Sequence, residues 1–119
     1  MNYKDLNIYK NSYTTSLVIH KLTLKFPKIE LYGLDDQLRR STKSIPANIA
    51  EGYGKKHYKK EWIKFLYIAL GSCDETIVHL DYAKDLGYIS RDQHKKLAEK
   101  YTITGKQIRS LINKISSDI

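Results

Sequence analysis

Between Tyr32 and Gly54 the chain reads as one helix with a proline inside it, and that combination restricts the fold more than any other feature. Leu34, Leu38, Ser41, Ile45, Asn48 and Gly52 recur at alternating spacings of three and four, so they share one helical face. Asp35 and Asp36 stand at its start, where a helix favours capping groups and negative charge. Gly54 supplies a stop. Pro46 has no N–H and its ring crowds the carbonyl of Thr42, a cost of about 3 kcal/mol in a helix interior. The surroundings have to offset that cost. Ala47, Ala50 and Gly52 are small enough for another backbone to come close, and Asn48 and Glu51 are placed to bond backbone groups that the proline frees.

Three more helices are readable around this one. The first is expected over about Asp5–Lys25, with Leu6, Tyr9, Tyr13, Leu17, His20 and Leu24 as its buried stripe. Phe26-Pro27 ends it, because the residue before a proline avoids the helical region. The third is expected over about Tyr58–Leu86. Its main stripe is Trp62, Phe65, Leu66, Ala69, Cys73, Thr76, Leu80 and Ala83, and Ile63, Tyr67, Leu70 and Ile77 widen it to a second face. A helix apolar on two faces needs two neighbours. The second face, with the tyrosines of the first helix, is therefore the expected self-association surface. Ala69, Gly71 and Ser72 are where the second helix is expected to approach it. Gly87 ends the third helix, Ser90 caps the fourth, and the fourth runs from about Arg91 to Ile115. Its seam is Leu97, Tyr101, Thr104, Ile108, Leu111 and Ile115. Four helices with short connections predict an all-α, antiparallel up-down-up-down bundle with a proline-kinked second helix. At 119 residues it is expected to form a single domain over 1–119.

Composition narrows the function classes. One cysteine permits no internal disulfide framework and suggests a reducing cytoplasm. Charge appears at Lys4 and Asp5 before any apolar run, so no signal peptide is expected. No run of about 18 apolar residues is present to span a membrane. His20, His57, His79 and His94 are scattered without a metal-ligand spacing, and no glycine-rich phosphate cradle is present. Arg91 and His94 share the polar first turn of the fourth helix without a second catalytic partner. Cys73 lies on an apolar stripe and reads as core. No enzyme activity, metal or cofactor is expected.

The net charge of +8 is unevenly spread. Residues 35–64 hold eight bases against four acids, whereas residues 65–89 hold one base against four acids. The basic run Lys55, Lys56, Lys59, Lys60 and Lys64 is interleaved with His57, Tyr58 and Trp62. Arg39, Arg40 and Lys43, one helix away, are expected to extend it. Lysine contacts to phosphate are independent of sequence and sensitive to salt, and tyrosine or tryptophan stacks on unpaired bases. The run reads either as a surface for RNA or DNA, or as a solvated face of a protein-interaction module.

Several strings in the chain resemble a known bacterial family. They are Phe26-Pro27-Lys28, Tyr32-Gly33-Leu34, Gln37-Leu38-Arg39-Arg40, Ser44-Ile45-Pro46-Ala47-Asn48-Ile49-Ala50-Glu51-Gly52, Phe65-Leu66, Gly71-Ser72, Glu75 and Leu86-Gly87-Tyr88-Ile89. They are similar to the four-helix-bundle proteins called 23S ribosomal RNA intervening-sequence proteins or S23 ribosomal proteins. The resemblance implies a four-helix bundle, often assembled as a homopentamer, with no catalytic residues to carry over. A related branch, the accessory variability proteins of diversity-generating retroelements, implies nucleic acid and a reverse transcriptase as partners. The positions shared with the family include Pro46, Asn48, Glu51, Gly71, Ser72 and Glu75. One reading makes them structural: Asn48 and Glu51 bond across to Ser72 and to opened backbone, while Arg40 pairs with Glu75 or Glu51. The others make them part of an interface or of a small-ligand or catalytic site.

Overall fold

The computed structural model describes residues 1–118 and contains four α-helices: α1 (Asn7–Thr23), α2 (Leu34–Gly54), α3 (Lys59–Asp85) and α4 (Arg91–Ser117). Short 3-10 turns at Tyr3–Asp5 and Lys28–Glu30 precede α1 and α2. Successive helices pack side by side and α4 closes back on α1, so α1 and α3 stand diagonally opposed. The antiparallel order is visible in contacts between ends. Arg39 in the first turns of α2 donates to Thr23 at the end of α1, and Lys59 at the start of α3 donates to the Asp118 carbonyl beyond α4, both near 3 Å. The bundle measures 47 × 22 × 20 Å, the length expected of 27-residue helices.

α2 passes through Pro46 without interruption. Its periodic face is buried as expected: Leu38 and Ile45 are fully inaccessible, and Gly52 lies against α3. The seam with α3 is partly polar. The Ser41 and Thr76 hydroxyls lie 2.9 Å apart, Ser72 donates to the Ser44 hydroxyl at 3.0 Å, and Asn48 donates to both the hydroxyl and the carbonyl of Ser44. Buried hydroxyls paired in this way carry little desolvation cost. Asn48 thus reaches Ser72 through Ser44, whereas Glu51 stands exposed.

Two expected approaches are replaced by others. Gly71 is exposed, and a Cβ built on it meets nothing within 4 Å. The close approach is at Gly52, where a Cβ would lie 3.0 Å from Phe65 Cβ and 3.1 Å from Trp62 Cδ1. Ala47 and Ala50 face α1 and Tyr3 instead of α3, because they lie off the Ser41–Asn48–Gly52 face. Gly54 ends α2 without a left-handed residue. The only described residue at positive φ is Gly87 (φ 80°), which closes α3 through bonds from Tyr88 N to Ala83 O and from Gly87 N to Lys84 O. Ser90 and Gln93 form a reciprocal cap on α4.

α1 departs most from expectation. Its buried face is Ile8, Ser12, Thr15, Ser16, Ile19 and Thr23. Tyr13, Leu17 and Leu24 are exposed, and Leu6, Tyr9 and His20 only half-buried. The four buried hydroxyls donate to carbonyls of Tyr9, Asn11, Tyr13 and His20 on their own helix, at 2.6–3.1 Å. A hydroxyl satisfied this way can enter the core, and its small volume lets α1 settle closely on α2.

The start of α2 is capped by neither of its aspartates. Glu30 accepts from Leu34 N with one oxygen and from the Tyr88 hydroxyl, at 2.8 Å, with the other. It joins the α1–α2 connection to the α3–α4 turn. Asp36 pairs with Arg40, while Asp35 is buried with Oδ1 lacking a partner among the described residues. Burial raises the Asp35 pKa, the nearby Arg39 charge only partly opposing it, and Glu30 adds to the rise. The folded state therefore holds this proton more tightly than the unfolded chain. Asp35 contributes most to stability below the ordinary carboxylate range, and that contribution is lost as pH rises through its raised folded value. Asp35→Asn is expected to flatten this dependence and to leave the neutral-pH protein at least as stable. Urea unfolding midpoints at acid and neutral pH check it.

Candidate nucleic-acid interface

The α2–α3 turn gathers the lysine run at one end of the bundle. Lys55 and Lys56 follow the last turn of α2, and Lys59, Lys60 and Lys64 occupy the first two turns of α3. All but Lys56 are exposed. Lys56 lies over the Tyr53 ring, 4.3 Å from its centroid, with its ammonium 3.0 Å from the Tyr53 hydroxyl. Lys55 stands 5.8 Å from the Phe65 centroid. The end of α4, which carries Lys114, is brought to the same place by the Lys59–Asp118 contact.

The position of these charges on α3 is informative. Cations at a helix N-terminus oppose its dipole, whereas Lys55 and Lys56 at the end of α2 complement theirs. Tyr58, the residue before α3, makes no side-chain cap, so the first amides of α3 are unoccupied by any capping side chain of the residue before them. A helix N-terminus and clustered ammonium groups attract the same species, an anion. The two aromatic residues divide in role. Tyr58 is 73% exposed and flanked by lysines. Trp62 packs half-buried against the core, edge-on to Tyr53, with its Nε1 lacking a partner among the described residues.

Arg39, Arg40 and Lys43 do not join this cluster. At 1.5 Å of rise per residue they lie roughly 18–24 Å back along α2 from Lys55. Arg39 is bound to Thr23, and Lys43 Nζ is 3.3 Å from His20 Nδ1. Burial, then the charges of Lys43 and Arg39, lower the His20 pKa. Arg40 pairs at 3.1 Å with Asp36, one turn earlier, and not with Glu75 or Glu51. Glu75 instead bonds His79 on its own helix. In both cases the same-helix partner lies within reach and the cross-helix one does not. His94 binds Asp81 at 2.6 Å, tying α4 to α3 beside Arg91. Cys73 is buried, and desolvation pushes its thiol up to about 12, which keeps it protonated and inert.

A second feature lies on the opposite part of α2. Tyr3, Tyr9, Tyr13, Leu17, Pro46 and Ala47 line an open groove between α1 and α2, with Lys43 at its edge. Tyr9 and Tyr13 stack at 5.8 Å. These tyrosines recur at helical spacing, which places them on the expected stripe of the first helix and on its expected self-association surface without showing the groove they form with Pro46 and Ala47. Among the described residues no helix is long and apolar enough to cross a membrane.

A family model described as 23S rRNA-intervening sequence protein matches residues 4–110. A crystal structure of a protein with unknown function from the S23 ribosomal protein family, from Bacteroides thetaiotaomicron VPI-5482, superposes with a TM-score of 0.78 at 26% identity, covering 88% of this chain and 97% of that one. Among curated proteins no relative matches.

Proposed function

The chain belongs to the 23S rRNA-intervening sequence protein family, and on that premise we propose that it is a non-enzymatic, oligomeric bundle that binds RNA or DNA through the lysines of the α2–α3 turn. The observation that carries this reading is the placement of Lys59 and Lys60 in the first turn of α3, against its dipole and with Glu61 as the one acid there, followed by Lys64 in the second turn and preceded by the exposed Tyr58. Charge kept only for solubility has no reason to collect at the helix end where it costs about 0.3–1 kcal/mol per group. Lysines supply phosphate contacts and Tyr58 supplies a stacking plane for an unpaired base. Arg39, Arg40 and Lys43 take no part in this surface. A homopentamer would repeat the cluster around a ring, and a reverse transcriptase remains a partner of the related branch to be sought by co-purification.

Filter binding of single-stranded RNA, single-stranded DNA and duplex across a salt series tests the reading. With four or five lysines engaged per chain, the slope of log affinity against log salt is expected near about −3 for a single strand. Absence of binding at low salt, or binding indifferent to salt, overturns it in favour of a protein-assembly module.

A further inference from the structure

We propose that the end of the bundle formed by the α1–α2 connection docks on an anionic membrane surface, entering the headgroup layer without crossing the bilayer. The contact is separate from nucleic-acid binding and uses the opposite end of the molecule from the Lys55–Lys64 run.

Apolar surface is concentrated at this end. Ile29 is 85% and Tyr32 90% accessible, and Leu24, Leu31 and Leu86 are exposed as well. Leu86 belongs to the same patch because it lines a shallow groove together with Glu30 and Gly33 of the connection. The connection is tied down on either side of its tip. Phe26 is buried against Tyr88, with ring centroids 5.3 Å apart. Glu30 is held by Leu34 N and by the Tyr88 hydroxyl. Between these anchors the 3-10 turn Lys28–Glu30 holds Ile29 outward. Apolar side chains already fixed in water lose little further freedom when a partner covers them.

Charge identifies the partner. Lys21, Lys25 and Lys28 are exposed around the patch and enter no ion pair among the described residues. The α1 dipole accounts for Lys21, in its last turn, but Lys25 and Lys28 lie beyond the helix. The acids of this end are engaged elsewhere. Glu30 is bonded as above, Asp36 pairs with Arg40, Asp85 lies 3.9 Å from Lys84, and Asp35 is buried. Asp92 stands in the first turn of α4, where the dipole favours it. An anionic bilayer matches what remains. Apolar side chains enter the acyl boundary, tyrosine sits at headgroup level, and ammonium groups meet lipid phosphates. Shape argues against a peptide or a helix as the occupant. Ile29 and Tyr32 are too exposed to line a groove, and a protruding tip penetrates a soft interface instead of cradling a chain. The bundle is 47 Å long, so the lysines of the α2–α3 turn stand clear of a surface bound at this end.

Co-sedimentation with vesicles tests this in the absence of nucleic acid. The unaltered protein is expected to pellet with vesicles of phosphatidylcholine and phosphatidylglycerol, and not with phosphatidylcholine alone. Ile29→Ser combined with Tyr32→Ser is expected to weaken binding at least about tenfold. Its circular-dichroism spectrum is expected to be unchanged, because both side chains are exposed. Two charge-matched pairs separate a docked tip from general attraction of a basic protein. Lys25→Gln with Lys28→Gln is expected to weaken binding roughly 25-fold, about fivefold per lysine. Lys59→Gln with Lys60→Gln, at the far end and beyond the screening length, is expected to change it less than about twofold. Absence of binding to the anionic vesicles overturns the proposal and leaves the tip to a protein partner. Equal losses from the two lysine pairs, or no loss from the serine variant, overturn it in favour of unspecific charge attraction.

Discussion

Gly52→Ala is expected to destabilise the protein by about 1–3 kcal/mol, the range for forcing a methyl group into a packed core. The added Cβ would stand 3.0 Å from Phe65 Cβ, 3.1 Å from Trp62 Cδ1 and 3.3 Å from the Trp62 carbonyl oxygen. Two of these neighbours are held by α3 itself, one as a Cβ and one as backbone, so relief requires moving a helix and not a rotamer. Gly71→Ala makes the contrast. It sits in the same pair of helices, faces open space, and exchanges a glycine for a better helix former. Its effect on the monomer is expected to have the opposite sign, with a gain of up to about 1 kcal/mol. Urea unfolding of both variants, at concentrations low enough to keep the protein monomeric, gives the two midpoints. A Gly52→Ala midpoint equal to that of the unaltered protein would show that α2 and α3 are not in this register.

Reversing Lys55, Lys56, Lys59 and Lys60 to glutamate is expected to abolish nucleic-acid binding at physiological salt without unfolding the bundle. On a single strand each lysine that contacts phosphate contributes about 0.7 to the salt slope, so the four together remove roughly three. Lys55, Lys59 and Lys60 are exposed, and the variant gives up only surface contacts: Lys56 with Tyr53, Lys55 with the Phe65 ring and Lys59 with the Asp118 carbonyl. Tyr58→Ala separates stacking from charge. It is expected to weaken a single strand by about 1–3 kcal/mol and to leave a duplex unaffected, because only unpaired bases offer a face. Survival of binding after the charge reversal would move the surface elsewhere, with the Arg39 and Lys43 region next to be tried.

The legible parts of the fold share one property: their buried stripes are also their most apolar stripes. On α4 the alternation from Leu97 to Ile115 is buried almost throughout, and on α2 the face from Leu34 to Gly52 meets α3. Gly87 and Ser90 also acted as their chemistry requires. On α1 the same rule selects the wrong side. Tyr13, Leu17 and Leu24 are the larger apolar residues, yet the core takes Ser12, Thr15, Ser16 and Thr23. Periodicity reports that a helix has an apolar face. It does not report whether that face meets its own bundle or another molecule. Hydroxyls that bond back to their own helix remove the usual signature of a polar, solvent-facing side.

The candidate interface divides along the same line. Adjacency in sequence made the Lys55–Lys64 run visible, and it remains a cluster because a short turn keeps it together. Arg39, Arg40 and Lys43 looked like an extension of it because α2 precedes the turn directly. The helical rise carries them away, and their nearest partners, Thr23, Asp36 and His20, were not deducible from charge alone.

The sequence by itself determined four helices, their limits to within a few residues, the faces of α2 and α4, and the family, because these depend on local spacing, capping and a long specific string around Pro46. Only the tertiary structure decided that Gly71 faces open space while Gly52 makes the close contact, that Glu30 and not an aspartate caps α2, and that α1 turns its hydroxyls inward and Tyr13, Leu17 and Leu24 out. Those outcomes depend on which side of each helix meets which neighbour. That is a competition between packed volumes and satisfied hydrogen bonds across the whole bundle, and no single helix's pattern contains it.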